Sequence, residues 1–318
     1  MKKYLGIDLG GTNIALGIVD EAGHILARCS VPTGAARPAE EIIASMADAA
    51  KALMRETGIP AEEIASAGVG SPGGVDRESG IVLTACNLPF ANTPLAELLR
   101  IRLGMPVYVD NDANCAAWAE AAAGAAAGTR HSVTITLGTG IGGGIVIDGK
   151  LYGGFNNLGG EFGHAVIEAD GELCPCGRRG CLEAYASATA LARDAERAAE
   201  KDPTSLLQRY REDGRFTAKS VFDAAAAGDA AAKAVLGRFV HYLALGLVGV
   251  IKIFQPEIIV IGGGVAAAGD ALLQPLREAV MREAYRPHVP ESRRTKLTLA
   301  KLGGDAGIIG AALLGMEK

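Results

Sequence analysis

Apolar residues near the start of the chain fall in three short runs separated by turn-forming residues. Tyr4-Leu5-Gly6-Ile7-Asp8-Leu9 has the pattern of a buried strand, Gly10-Gly11-Thr12-Asn13 that of a turn, and Ile14-Ala15-Leu16-Gly17-Ile18-Val19-Asp20 that of a second strand. Glu21-Ala22-Gly23-His24 turns the chain again into Ile25-Leu26-Ala27-Arg28-Cys29-Ser30, so the spacing predicts a three-stranded meander. The period then lengthens. Ile42, Ile43, Met46, Ala50, Leu53 and Met54 recur at helix spacing and predict a helix over about 39–56. A strand ending near Gly70, a helix around 94–103, a strand at Val107-Tyr108-Val109-Asp110 and an alanine-rich helix over about 113–123 follow.

The opening pattern then returns. Ser132-Val133-Thr134-Ile135-Thr136-Leu137 reads as a strand, Gly138-Thr139-Gly140 as a turn, and 141–148 as a second strand closed by the hairpin signal Asp148-Gly149. Ile258-Ile259-Val260-Ile261 is a later buried strand running into Gly262-Gly263-Gly264. A strand–turn–strand unit occurring at 8–20 and again at 137–148 predicts a duplicated α/β lobe with a cleft between the copies. The expected lobes are 1–120 and 121–302. The tail 305–314 reads as an amphipathic helix, so 303–318 is expected to pack back on the first lobe.

Composition narrows the function classes. At 318 residues the chain can hold two cores. A net charge of −5, with arginine and lysine scattered, argues against a nucleic-acid binder, which needs a concentrated basic face. The start runs directly into a strand rather than a signal-peptide apolar region. The apolar stretch 240–250 contains His241 and Tyr242 and is short against the roughly 20 residues of a membrane span, so it reads as a buried helix. A cytoplasmic protein with a small-molecule partner is expected, neither membrane-bound nor nucleic-acid-bound. Cys29, Cys86 and Cys115 are isolated, whereas Cys174, Cys176 and Cys181 cluster, and clustered thiols without signs of secretion point to metal before disulfides.

Four stretches carry candidate chemistry. Asp8-Leu9-Gly10-Gly11-Thr12-Asn13 puts a carboxylate at a strand end, then glycines and a hydroxyl. It lacks the lysine of a Walker loop and leads into a strand, yet a glycine hairpin tip can aim N–H groups at phosphate oxygens and Asp8 can reach Mg²⁺ or its waters. An ordinary hairpin turn is the alternative for either copy alone. With Thr139 and Gly140 in the second copy, two turns would clamp a triphosphate.

Asn111-Asp112-Ala113-Asn114 opens a helix at a strand's carboxyl end, where open α/β sheets place ligands. Each polar residue there could be a simple cap, worth about 1 kcal/mol. The helix dipole favours an ionised Asp112, which suits a base that orients an attacking hydroxyl.

His164, Cys174, Cys176 and Cys181 form a Cys₃His set of the kind that closes a structural zinc site, with Pro175 and Gly177 able to make the tight loop. Reduced core cysteines are the alternative. Glu161 and Glu183 flank this knot, either as surface carboxylates or, with the His164 ring, as ligands for vicinal sugar hydroxyls.

Taken in order, Asp-x-Gly-Gly-Thr, Asn-Asp-Ala-Asn, Gly-Thr-Gly-x-Gly-Gly-Gly, Glu-x-Gly-His and Cys-x-Cys-Gly-x-x-Gly-Cys-x-Glu resemble the ROK family of bacterial sugar kinases and repressors, over 4–314 and with no key position departing. The resemblance implies an actin-like, hexokinase-type ATPase fold of two lobes, each a mixed sheet flanked by helices, with a structural zinc loop. It implies ATP and Mg²⁺ held by Asp8, Gly10, Gly11, Thr12, Asn13, Thr139 and Gly140, with adenosine near Gly263. It implies Asp112 as base, sugar contacts from Gly73, Asn87, Asn111, Asp112, Glu161, His164 and Glu183, zinc at His164, Cys174, Cys176 and Cys181, and a homodimer. The family's repressors carry an N-terminal helix-turn-helix for which a first motif at Asp8 leaves no room, so a kinase is expected over a sugar-sensing regulator. Asn156-Asn157-Leu158-Gly159-Gly160 and Asn87-Leu88-Pro89-Phe90 resemble the glucose-specific members. N-acetylmannosamine kinase is the runner-up, ahead of fructo- and allokinases.

Overall fold

The computed structural model describes residues 2–85 and 87–316, so Cys86 lies outside the described residues. The meander is present as β1 (Lys3–Leu9), β2 (Asn13–Asp20) and β3 (Ile25–Pro32), followed by α1 (Ala39–Thr57) and β4 (Ile64–Ser71). A small antiparallel sheet that the periodicity did not predict comes next, from β5 (Gly74–Asp76), β6 (Ile81–Thr84) and β7 (Ala91–Thr93). Then come α2 (Leu95–Leu103), β8 (Val107–Asn111), α3 (Asp112–Ala122), β9 (Ser132–Leu137), β10 (Ile141–Ile147) and β11 (Lys150–Leu151). The remainder is mostly helical: α4 (Glu183–Ala186), α5 (Ala188–Lys201), α6 (Ala218–Ala226), α7 (Ala230–Phe254), β12 (Ile258–Gly262), α8 (Asp270–Ala284), β13 (Lys296–Leu299) and α9 (Ala306–Leu313).

The duplication read from the two hairpins extends to whole sheets. One sheet has the order β3-β2-β1-β4-β8 and the other β11-β10-β9-β12-β13, the same permutation of chain order. In the first, β1 pairs antiparallel with β2 and parallel with β4, and β4 pairs parallel with β8. By compactness the chain divides into Met1–Thr134 with Gly144–Gly160 and Lys301–Lys318, and Ile135–Gly143 with Glu161–Ala300. The first unit thus reaches past the expected boundary at residue 120. Glu120 accepts from the N–H of Ala125 at 2.6 Å, and Asn157 donates to Asp110 at 3.2 Å, which ties both the exit of α3 and the segment 144–160 to that unit.

Strand alternation explains the first unit's core. Leu5, Ile7 and Leu9 of β1, with Ala67 and Val69 of β4 and Val109 of β8, face a fully apolar cluster shared with α1 and α2. The opposite positions are small or polar, and α9 lies directly on their backbone. A Cβ on Gly6 would sit 2.0 Å from the Ile308 carbonyl oxygen, and one on Gly68 1.8 Å from that of Ala311. Gly310 meets α3 in the same way, 1.7 Å from the Cys115 carbonyl oxygen. The tail is therefore a buried helix rather than an amphipathic one: Ala306 and every residue from Ile308 to Leu313 are buried.

In the second unit, α7 packs against α4, α5, α6 and α8. It runs 25 residues, longer than the apolar stretch 240–250, and it is long and apolar enough to cross a membrane by length and composition. Its buried residues, among them Phe239, Leu243 and Leu247, form the stripe those helices cover.

Gly310→Ala decides between two opposing effects. Helix propensity alone would stabilise by about 1 kcal/mol. The clash with α3 is expected to dominate and to lower the urea-unfolding free energy by about 1–3 kcal/mol. A more stable variant would show that α9 is not pressed against α3.

Candidate active site and metal centre

The first unit gathers its candidate chemistry where β1, β4 and β8 end. β8 finishes at Asn111 and α3 begins at Asp112, which is exposed. Asn111 is the helix cap: its Oδ1 accepts from the N–H groups of Ala113 at 2.9 Å and Asn114 at 3.3 Å, and its Nδ2 donates to the Gly73 carbonyl at 3.1 Å. Both ends of this amide are thus engaged with protein. Gly73 has φ +91°, and a Cβ there would strike the Thr84 carbonyl oxygen at 1.9 Å, which explains the glycine.

Behind this corner lies Asp110, fully buried and absent from the sequence-derived candidates. Its Oδ1 accepts from Asn111 N–H at 2.7 Å, Asn114 Nδ2 at 2.9 Å and Asn157 Nδ2 at 3.2 Å, while Oδ2 faces Arg77 Nε at 3.2 Å. Burial pushes its carboxyl up, against the pull of Asn114, Arg77 and Asn157. A buried carboxylate that accepts three hydrogen bonds and pairs with Arg77 fixes the backbone that carries Asp112. Asn157 adds a bond to the Val75 carbonyl at 3.2 Å and adopts φ +56°, a conformation asparagine tolerates.

The first glycine turn closes with Gly10 N–H donating to the Asn13 carbonyl at 3.0 Å, leaving Thr12 and Asn13 exposed. A Cβ on Gly11 would lie 2.9 Å from Asn87 Nδ2, so Asn87 stands over the turn. Asp8 sits below it, against Gly307 of α9. Burial, and then the Asp112 carboxylate, push Asp8 up to about 6. The fold therefore brings Asp8 and Asp112 close enough to repel.

The second unit holds the other turn and the thiol cluster. Gly138 N–H donates to the Gly140 carbonyl at 3.0 Å, with Thr139 exposed. Glu183, in the first turn of α4, accepts from Ile141 N–H at 2.8 Å, and a Cβ on Gly140 would lie 2.2 Å from the same carboxylate oxygen. A carboxylate expected to hold sugar is thus also bonded to the base of the turn. Gly263 ends β12 at φ +83°, and a Cβ there would meet the Leu137 carbonyl oxygen at 2.4 Å.

His164, Cys174, Cys176 and Cys181 each offer a ligand atom, all within 4.8 Å of one another. Cys174 Sγ lies 3.7 Å from His164 Nδ1, and Cys176 Sγ 3.7 Å from Cys181 Sγ. Tetrahedral zinc with bonds of about 2.0–2.3 Å separates its ligands by about 3.3–3.8 Å, so the donor set fits. The loop is locked by bridges pairing Val166 with Cys181 and Leu173 with Arg179, and by Gly177 N–H donating to the Cys174 carbonyl at 2.9 Å. The Arg178 N–H, and then Cys174, hold Cys176 down to about 6, while burial pushes Cys174 up to about 12. Without a cation these thiols cannot all ionise side by side, and a dication would supply the missing charge. None of the five described cysteines is in a disulfide. With Nδ1 turned to Cys174, the other His164 nitrogen, Nε2, lies 3.9 Å from Glu161.

Asp110, Asn114, Asn157 and Glu120 were missed as positioning groups. The available signal was a carboxylate closing an apolar strand (Asp110), but only the fold reveals what it bonds.

The family model described as the ROK family matches residues 4–318. The glucokinase of Thermotoga maritima is 41% identical over 99% of this chain and 98% of its own. A ROK family glucokinase from Streptomyces griseus, solved in complex with glucose and AMPPNP, is 37% identical with a TM-score of 0.82 over 98% of each chain. The ROK hexokinase of Thermus thermophilus is 35% identical, with a TM-score of 0.80 over 98% of this chain and 97% of that one.

The raised Asp8 carboxyl has a signed consequence. A carboxyl whose folded value lies near 6, above its ordinary 3.8, costs stability as pH rises from about 4 to 6, and the full cost stands above 6. In the ligand-free protein Asp8→Asn should therefore gain stability relative to the parent across that window, levelling at about 2–3 kcal/mol by pH 7–8. Urea unfolding at pH 4, 6 and 8 checks this, and a pH-independent difference would contradict it.

Proposed function

This chain belongs to the ROK family, and we propose on that premise that it is an ATP-dependent glucokinase transferring the terminal phosphoryl group to the 6-hydroxyl of glucose. Its fold is the actin-like two-lobed fold of the ROK sugar kinases. The carrying observation is Asp112, an exposed carboxylate at the first residue of α3 whose backbone is fixed by the Asn111 cap and the buried Asp110. Phosphoryl transfer asks a base only to orient the acceptor hydroxyl and take its proton, so one rigidly held carboxylate suffices.

The remaining roles follow from local chemistry. Backbone N–H groups at Gly11, Thr12 and Asn13 and at Thr139 and Gly140 hold phosphate oxygens, while Gly10 closes the first turn through its own N–H, and Asp8, ionised when a cation is present, would hold Mg²⁺ or its waters. Adenosine packs near Gly263, as the family resemblance implies; the glycine itself is required by the Leu137 backbone beside it. Asn87, Glu161, His164 Nε2 and Glu183 bind sugar hydroxyls, and Asn111 and Gly73 shape that side through their mutual bond. Zinc in the Cys174, Cys176, Cys181 and His164 set supplies cross-linking rather than chemistry, since four protein ligands leave no open position. We further infer a homodimer from the family resemblance, and a cytoplasmic location from the reduced, clustered thiols.

Asp112→Asn should lower kcat by about 10²–10⁴ while changing the Kd for glucose by a few-fold at most. ADP release with glucose, N-acetylmannosamine, fructose and allose checks the substrate. Near-normal kcat in Asp112→Asn removes it as base, and a higher kcat/KM for N-acetylmannosamine overturns glucose. Cys176→Ser is expected to reduce bound zinc from one per chain to near zero by metal analysis. It should lower Tm and weaken glucose binding, whereas full metal retention would contradict the ligand set.

A further inference from the structure

Both glycine-threonine turns are gripped from outside by one threonine hydroxyl and one backbone N–H. In the first unit Thr33, fully buried just after β3, donates its Oγ1 to the Gly10 carbonyl at 2.7 Å and its N–H to the Thr12 carbonyl at 2.8 Å. Thr33 is itself held by Arg37, whose Nη2 donates to the Thr33 carbonyl at 2.7 Å and whose Nη1 donates to Ser45 Oγ at 3.1 Å. In the second unit Thr189 Oγ1 donates to the Thr139 carbonyl at 2.8 Å, and Ala188 N–H donates to the Gly138 carbonyl at 2.9 Å. Ala188 and Thr189 open α5, capped by Ser187, so this N–H is one of the amides a helix start leaves without an intrahelical partner.

The peptide geometry gives these bonds a purpose. In a trans peptide the C=O and the following N–H point in opposite directions. A donor that takes the Gly10 carbonyl therefore turns the Gly11 N–H to the other side, and donors on the Gly138 and Thr139 carbonyls do the same for the N–H groups of Thr139 and Gly140. Such a lock is needed because these peptides border glycine. A turn bare enough for phosphate to approach its backbone is also one whose peptide planes rotate at little steric cost.

We propose that Thr33 and Thr189 are positioning residues for nucleotide phosphate: each hydroxyl, by engaging a turn carbonyl from behind, fixes the peptide whose N–H faces the phosphate oxygens. The proposal rests on the phosphate-binding reading of the turns given above. Preorganised donors stabilise charge because they need no rearrangement when the anion arrives. The buried Thr33 bond is screened from water and the exposed Thr189 bond is not, so the former carries more weight.

The test measures KM for ATP and for glucose, and Kd for each ligand alone, in Thr33→Val, Thr33→Ser, Thr189→Val and Thr189→Ser. Losing one such hydrogen bond should raise KM and Kd for ATP about 10-fold in Thr33→Val and about 3-fold in Thr189→Val. Serine, which keeps the hydroxyl, should restore both, and the glucose values should stay within about twofold of the parent. Equal losses for ATP and glucose, serine variants as impaired as valine, or unchanged ATP affinity would each overturn the proposal. Should Thr33→Val fold poorly, the Thr189 pair still decides, because that side chain is exposed. Gly10→Ala separates this proposal from the reading beneath it, since its Cβ would lie 2.9 Å from the Asn13 carbonyl oxygen and press on the turn's own backbone. If Gly10→Ala also leaves ATP affinity intact, the phosphate-turn reading falls. If it weakens ATP while the threonine variants do not, only the positioning role falls.

Discussion

The first unit depends on α9 lying directly on the backbone of its sheet and of α3. Gly6 and Gly68 provide the floor and Gly310 the contact with α3, each with carbonyl oxygen where a Cβ would be. Contact this close leaves no room for a side chain between the elements, so α9 ties the position of α3 to that of the sheet. That matters because α3 begins with Asp112. The far end of α3 is fixed as well. The buried Glu120 accepts from the N–H groups of Lys301 at 3.0 Å and Leu302 at 2.9 Å, just upstream of α9. The chain terminus thus holds the candidate base in place although no residue of α9 is itself a candidate for chemistry.

Electrostatics at that corner is a balance of burial against donors. Asp8, Asp110 and Asp112 all lie around the strand ends, and each is treated differently by its surroundings. Asp110 is surrounded by amides and Arg77 and acts as a scaffold. Asp8 is largely buried beside another carboxylate, a position that becomes favourable when a cation arrives. Asp112, out in solvent at a helix start, keeps its carboxylate accessible and under the dipole. Three like residues within a short reach therefore differ in surroundings, which is the basis for proposing one as scaffold, one as cation contact and one as base.

The second unit has the donors to solve the same positioning problem by cross-linking. Its segment 161–182 has little regular structure, and the Cys₃His set sits there beside a small buried cluster of Cys174, Cys181, Ala184 and Tyr185. From that knot the chain runs straight into Glu183 and then into the start of α5, which together bond Ile141, Gly138 and Thr139. The Cys₃His loop and the second glycine turn are thus joined through the short segment 181–189.

The sequence by itself determined what local pattern and residue chemistry can determine. Periodicity located the strands of both hairpins, α1 and α3, and the repeated turn disclosed a duplication that the matching sheet orders bear out. Ligand type and spacing disclosed the Cys₃His set, because coordination chemistry restricts the donors whatever surrounds them. The small sheet β5-β6-β7 was illegible, since its strands are too short to show a period. Only the tertiary structure decided the rest. It showed that an apolar tail is buried on nearly all sides, that Asp110 is a hub rather than the last residue of a strand, and that Thr33 lies behind a turn more than twenty residues upstream. These depend on which backbone carbonyl or amide ends up opposite a given side chain. That is a property of packing between distant segments, and no local pattern encodes it.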